Sequence, residues 1–71
     1  MQNFLNANQA VLDIIDILKS NETYLQKDLK HEINYCTLQE IGAIIKEMVN
    51  NKIVIREKYK NTYLLKLNID I

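Results

Sequence analysis

Apolar residues recur at helical spacing in the first third of the chain. Within residues 8–20, Ile14 and Leu18 belong to a row of apolar side chains that repeats every three or four positions, and residues so spaced share one face of an α-helix. This pattern predicts a first helix over these residues. Asn6 is its expected N-cap, with Gln9 three residues later as the partner in a capping box.

A second, shorter helical repeat follows a polar break. Leucine or isoleucine stands at every fourth position through residues 24–33, which predicts a short helix. Its entry, at Thr23 or Tyr24, is expected to be extended. Residues 34–36 then form a tight turn.

The third periodic segment, residues 37–50, begins with the strongest local signal in the chain. Thr37 is followed three residues later by Glu40, and side chains of these types at this spacing bond each other's backbone N–H groups in a capping box. The end of the helix is expected at Asn50 and Asn51, because asparagine tolerates the left-handed conformation of a C-cap. The expected core face comprises Leu38, Ile41, Ile45 and Met48.

Alternation of period two replaces the helical period after the third helix. It predicts a β-hairpin over residues 52–69. The turn is expected at residues 59–61, with Asn61 taking a positive φ. The alternating apolar positions are Ile53 and Ile55 in the first strand and Tyr63, Leu65, Leu67, Ile69 and Ile71 in the second.

Length and composition indicate one small α+β domain, mainly α, spanning residues 1–71. Of the 71 residues, 48% are hydrophobic and 25% charged, which is enough apolar material for a core and excludes intrinsic disorder. The single cysteine, Cys36, cannot form an internal disulfide and favours a reducing, cytoplasmic location. The first residues lack the charge pattern of a signal peptide, and apolar runs of two or three residues predict no membrane span.

Charge is distributed unevenly along a chain whose net charge is zero. Residues 1–51 carry four lysines and seven acids, a balance of −3, whereas residues 52–66 carry five bases and one acid, a balance of +4. A basic hairpin on an acidic body indicates a site for an anionic partner. The alternative is a solvated hairpin rim, since charged side chains on strand edges also prevent aggregation.

The motifs of enzymes and metal sites are absent from the sequence. There is no glycine-rich phosphate loop, no HExxH motif and no nucleophile elbow. His31 and Cys36 are the only soft metal ligands, and zinc requires three or four ligands. We therefore expect no enzymatic activity and neither a metal nor another cofactor.

The order helix, helix, tight turn, helix, hairpin resembles the winged helix-turn-helix superfamily. The stretch that carries the resemblance, from Tyr24 to Leu67, is YLQKDLKHEINYCTLQEIGAIIKEMVNNKIVIREKYKNTYLLKL. It is most similar to small prokaryotic DNA-binding regulators, of the MarR type and of plasmid or phage origin. It departs from them in two ways, because MarR-type dimers use additional terminal helices and because the third helix here is not basic.

The resemblance implies that the third helix enters the DNA major groove and that the hairpin is a wing on phosphates or in the minor groove. Gln39 then pairs with adenine, Ala43 contacts a thymine methyl group, and Lys46 binds guanine or a phosphate. The implied phosphate or minor-groove contacts are Lys27, Lys30, Tyr35, Thr37, Arg56, Lys58, Lys60 and Asn61.

Two classes of function remain open at this point. One is a DNA-binding transcriptional regulator, expected to be a homodimer through helix 1, the N-terminal segment or the C-terminal strand. The other is a winged-helix module for protein–protein interaction, or a small phage or plasmid inhibitor of a host factor. DNA binding requires the basic side chains to converge on one face of the molecule. If the acidic residues Glu40 and Glu47 dominate that face, protein binding is favoured.

Overall fold

A computed structural model describes residues 4–69, with side chains from residue 7 onward. The side chains of Phe4 and Leu5, and the whole of Ile71, lie outside the described part of the chain. In order, the elements are α1 (Phe4–Ser20), β1 (Tyr24–Leu25), a 3-10 turn (Gln26–Asp28), α2 (Leu29–Glu32), α3 (Leu38–Asn50), β2 (Val54–Tyr59) and β3 (Thr62–Leu67).

Helix α1 packs one face against the rest of the molecule. Ala10, Ile14 and Leu18 are buried on this face, as the helical repeat predicts. The helix begins at Phe4, so Asn6 lies inside it and the predicted N-cap is wrong. Gln9 does not complete a capping box either, because its Nε2 donates instead to Asp13 Oδ1 at 2.9 Å, one turn further along the helix.

The predicted helix over residues 24–33 is only partly helical. Its extended entry is confirmed at Tyr24, but the strand continues through Leu25, and a 3-10 turn follows before the four residues of α2. Tyr24 and Leu25 pair antiparallel with β3. Pairing across the sheet satisfies backbone groups as well as a helix does, so the tertiary contact overrides the local repeat.

The capping box of α3 is confirmed. Thr37 Oγ1 accepts from the Glu40 backbone N–H at 3.1 Å, and Glu40 Oε1 accepts from the Thr37 backbone N–H at 2.7 Å. Ile41, Ile45 and Met48 are buried as predicted. Leu38 is not part of the core, since 63% of its surface is exposed.

Helix α3 ends in a Schellman motif whose left-handed residue is a lysine. Ile53 N–H donates to the Met48 carbonyl at 2.9 Å, and Lys52 N–H donates to the Val49 carbonyl at 3.0 Å, the two bonds that define this motif. Lys52 has a φ of 63°, whereas Asn51 has a φ of −89°. The helix therefore ends where predicted, but its left-handed residue comes one position later.

The described strands form one antiparallel sheet in the order β1-β3-β2. Val54 pairs with Leu67 and Tyr59 with Thr62, so the hairpin turn has only two residues. Its positive φ, 54°, belongs to Lys60 and not to Asn61. The strand ends at Leu67, short of the predicted end of the hairpin.

The core lies between the helices and one face of the sheet. Leu29, Ile33, Val54 and Leu65 meet the buried faces of α1 and α3 there. The opposite face of the sheet is open, and it carries the exposed Ile55. None of the helices described is long and apolar enough to cross a bilayer.

Candidate nucleic-acid interface

The three base-reading residues predicted on α3 share its outward face. Gln39, Ala43 and Lys46 are all exposed. Because successive residues of an α-helix are rotated by about 100°, the three lie within about 60° of one another. They point away from the buried side of the helix, where Ile41 and Ile45 contact the core.

The acids of α3 lie on the edge of the helix that faces α1. A groove of about 230 Å³ between the two helices is lined by Val11, Ile44 and Glu47 among others. Glu40, seven residues before Glu47, lies on the same edge, and its carboxylate is held by the Thr37 backbone N–H. The two acids therefore border the outward face of α3 on one side and do not occupy its centre.

The other edge of α3 contacts the 3-10 turn. A methyl group built at Gly42 would lie 3.8 Å from Gln26 Nε2. The next residue, Lys27, donates its backbone N–H to Thr62 Oγ1 at 3.2 Å. Thr62 directly follows the hairpin turn Lys60–Asn61, so the 3-10 turn lies between α3 and the hairpin tip.

The basic side chains of the hairpin lie on both faces of the sheet. The Arg56 Cζ is 4.5 Å and the Lys58 Nζ 5.7 Å from the centroid of the Tyr63 ring, on the face that carries the core. Lys60 Nζ is 5.6 Å from the centroid of Tyr59, whose side chain is on the opposite face. The hairpin therefore presents positive charge on two sides, each held against an aromatic ring.

Two of the remaining predicted phosphate contacts already have intramolecular partners. Lys30 Nζ donates to the Asn34 carbonyl at 3.4 Å, near the carbonyl end of α2. The Thr37 hydroxyl oxygen accepts the capping bond, while its own proton can still be donated. Asn61 and Lys27 are exposed and present their side chains to solvent.

The Tyr35 hydroxyl is hydrogen-bonded to α1. Its hydroxyl donates to Asp13 Oδ2, while Gln9 donates to the other oxygen of this carboxylate. The hydrogen bond from Tyr35, and then that from Gln9, lowers the pKa of Asp13. Burial, followed by the bond and charge of Asp13, raises the pKa of Tyr35. This network ties the turn before α3 to the first helix, which occupies the hydroxyl predicted to meet a phosphate.

Cys36 lies in the core beneath this turn and is 5% exposed. Burial, then the charge of Glu40, raises the pKa of its thiol, and Lys30 offsets part of this rise. The thiol is therefore neutral near pH 7 and is not a reactive nucleophile. No group of three or more potential metal ligands occurs within the described range.

Sequence reasoning missed features of three residues in this part of the molecule. The helical spacing predicts Leu38 in the core, but Leu38 is the first residue of α3 and the packed face begins three residues later. The helical repeat gives no sign that Gln26 Oε1 is buried, without a hydrogen-bond partner among the described residues. Tyr63 packs against the core as its alternation predicts, but its contacts with Arg56 and Lys58 are signalled only by its alternation with basic residues across the strand pair.

No family model, curated protein or solved structure matches the chain significantly.

Proposed function

We propose that the chain is a sequence-specific regulator that binds duplex DNA with a winged helix-turn-helix domain. The element order supports this, since helix, strand, helix, helix and hairpin with the sheet order β1-β3-β2 resemble that architecture. Helices α2 and α3 are the helix-turn-helix pair, and β2 and β3 form the wing. The α3 helix enters the major groove, and the wing contacts the backbone or the minor groove.

The observation that carries the proposal is the continuity of α3, the 3-10 turn and the hairpin tip. Gly42 of α3 lies beside the Gln26 side chain, whose Nε2 would be 3.8 Å from a Cβ at position 42, and the neighbouring Lys27 donates its backbone N–H to Thr62 at the base of the tip. A duplex in contact with the outward face of α3 therefore meets Lys27 and the tip on the same side. Convergence of basic side chains from separate elements on one face is what the DNA-binding function requires.

Each element has a distinct role on the duplex. Gln39 reads adenine by a bidentate pair, Ala43 contacts a thymine methyl group, and Lys46 binds guanine or a phosphate. Arg56 and Lys58 neutralise phosphates, and their contact with one tyrosine ring limits the side-chain freedom that binding would otherwise remove. Arg56 and Lys58 therefore contribute to affinity but do not distinguish one DNA sequence from another.

The regulator is proposed to be a homodimer in the cytoplasm, with α1 in the interface. Leu12 is 58% exposed on the side of α1 opposite its buried face. The C-terminal strand β3 is less suited to this role, because it lies between β1 and β2. Two-fold symmetry would join two short half-sites into one operator.

The deciding experiment is selection of duplexes from a random library by the purified protein at two salt concentrations, with its mass in solution measured in parallel. The proposal predicts that a dimer enriches a palindrome and that retention falls steeply as salt rises. Absence of retention at the lower salt concentration would refute it.

The alternative is a protein-interaction module or inhibitor, favoured by a different side of the molecule. Asp16, Tyr24 and Glu32 line an open cleft of about 500 Å³ between α1 and α2, and Leu12 lies one turn before Asp16. A basic, apolar segment of a partner protein would fit this cleft by charge. Selective binding of such a protein, lost in Asp16→Lys but retained in Lys46→Ala, would favour this function over DNA binding.

A further inference from the structure

Two residues of α3 and one residue of the neighbouring 3-10 turn depart from local structural rules. Leu38 is a large aliphatic residue that is 63% exposed. Gly42 stands in the middle of a helix, and the Gln26 amide beside it has a buried oxygen without a partner among the described side chains. Such departures concentrate at functional sites, where binding and not stability selects the residue.

The fold itself does not require a glycine at position 42. A Cβ at this position would meet only Gln26 Nε2, at 3.8 Å, which is an ordinary van der Waals contact. The residue is helical, so no positive φ calls for glycine. Since glycine destabilises a helix interior relative to alanine, the stability of the helix does not account for glycine at this position.

Leu38, Gly42 and Lys46 form one row along α3 because they are spaced by four residues. Along this row an aliphatic side chain is followed by a position without a side chain, beside the Gln26 amide, and then by an ammonium group. In the major groove, the C5-methyl group of a thymine would meet Leu38, the base edge would lie over Gly42, and a phosphate further along the strand would meet Lys46. The acids of α3, on the opposite edge, do not face this row.

We infer that Leu38 is a specificity-determining residue that contacts the C5-methyl group of a thymine, and that Gly42 admits the base edge close to the helix backbone. This inference rests on the proposed DNA-binding function and deepens it. It places one thymine of the operator opposite the first turn of α3, in addition to the thymine proposed for Ala43. Leu38 suits this role because the N-terminal end of a reading helix lies deepest in the groove.

The test replaces each thymine of the selected operator in turn by deoxyuridine, which removes only the methyl group. For the wild-type protein, one replacement should weaken binding about fourfold, which corresponds to about 0.8 kcal/mol for one buried methyl group. In Leu38→Ala the same replacement should have no effect, because the contact is already lost. Ile55→Ala, which truncates an aliphatic side chain exposed on the far face of the sheet, should retain the wild-type response.

A second variant tests the gap. Gly42→Ala should melt at a higher temperature than the wild type but bind the operator at least about fivefold more weakly, since a methyl group inserted into a close contact is costly. A variant that binds as tightly as the wild type would show that no close approach occurs at Gly42.

The outcomes separate this inference from the function on which it rests. If the wild type and Leu38→Ala respond equally to every deoxyuridine, Leu38 reads no methyl group, although DNA binding stands. If no duplex is retained at all, both fail. If Leu38→Ala instead dissociates a dimer of the free protein, Leu38 belongs to a protein interface and the inference is wrong.

Discussion

At the scale of single residues, the contact between Asp13 and Tyr35 shows how a turn is joined to a distant helix. The phenol donates to the carboxylate, and Gln9 supports the same carboxylate. The bond favours ionised Asp13 and neutral Tyr35. It therefore stabilises the folded state only in the pH range in which both of these forms exist.

The pH dependence of stability follows from the two pKa shifts. The contribution of Asp13 is present above its ordinary pKa of 3.8 and is lost as pH falls through the lowered folded-state value. The contribution of Tyr35 is present below its ordinary pKa of 10.0 and is lost as pH rises toward the raised one. Tyr35→Phe should lower the free energy of unfolding by about 1 kcal/mol at pH 7.

This loss is measured by urea denaturation from pH 2 to pH 7. It should shrink as the pH is lowered, because protonation of Asp13 weakens the same bond in the wild type. Tyr59→Phe removes an equivalent hydroxyl from an exposed ring and should leave the curve unchanged. A constant difference between wild type and Tyr35→Phe at every pH would contradict the assignment.

At the scale of elements, both ends of α3 are closed by backbone-directed contacts. The start is closed by the reciprocal bonds of Thr37 and Glu40. The end is closed by the Schellman bonds to Val49 and Met48, and Ile53 packs against the core. These closures define the length of the helix that presents the proposed reading face.

Removal of the cap should destabilise the protein by a measurable amount. Thr37→Ala leaves the Glu40 N–H without its acceptor and should lower the free energy of unfolding by about 1 kcal/mol. Thr23→Ala truncates an exposed threonine outside the helices and should change it by much less. Equal losses in the two variants, measured by thermal denaturation, would show that the box does not stabilise α3.

Replacing Lys52, the left-handed residue at the end of α3, by glycine should stabilise the protein. Lys52 has a φ of 63°, which disfavours any residue with a Cβ. Lys52→Gly should therefore raise the free energy of unfolding by about 0.5–1 kcal/mol. Lys52→Ala keeps the Cβ and removes the same charge, so a gain shared by both variants in urea denaturation would point to charge and not to backbone conformation.

At the scale of the whole molecule, the charge of the hairpin disfavours pairing of two copies through the free edge of β2. With a two-fold axis perpendicular to the sheet, an antiparallel register centred on Glu57 sets it against itself and Arg56 against Lys58. Registers centred on Arg56 or Lys58 also oppose like charges. Like charges directly opposite are destabilising, so these three registers are disfavoured for a dimer through the edge of β2.

The same charges set the expected response of DNA binding to salt. Arg56→Ala combined with Lys58→Ala should weaken binding to all sequences, and the salt slope should fall by about two per protomer because two phosphate contacts are lost. Gln39→Ala or Lys46→Ala should instead alter sequence preference. Filter binding of matched specific and random duplexes at several salt concentrations distinguishes these effects.

The double variant of the wing is informative only if the sheet survives. Arg56 and Lys58 both contact Tyr63, so circular dichroism at each salt concentration is the necessary control. A folded double variant with an unchanged salt slope would remove the wing from the proposed interface.

Features that depend on neighbours along the chain can be predicted from the amino-acid sequence. The capping box of Thr37 and Glu40, the buried face of α3 from Ile41 to Met48, and the existence of the hairpin all follow from local spacing. The outward positions of Gln39, Ala43 and Lys46 follow from the same helical period. These features need no knowledge of the rest of the fold because the bonds that produce them close within a few residues.

Features that depend on distant partners follow from the fold and not from local spacing. Leu25 lies in a strand because Leu64 is beside it, although its spacing favours a helix. Lys52 and Lys60 adopt positive φ where asparagine was expected, because the positions of the closing hydrogen bonds, and not residue preference, select the conformation. The contact of Lys27 with Thr62 joins residues 35 positions apart, and no local pattern contains it. The proposed interface draws on elements that only such long-range contacts bring near one another.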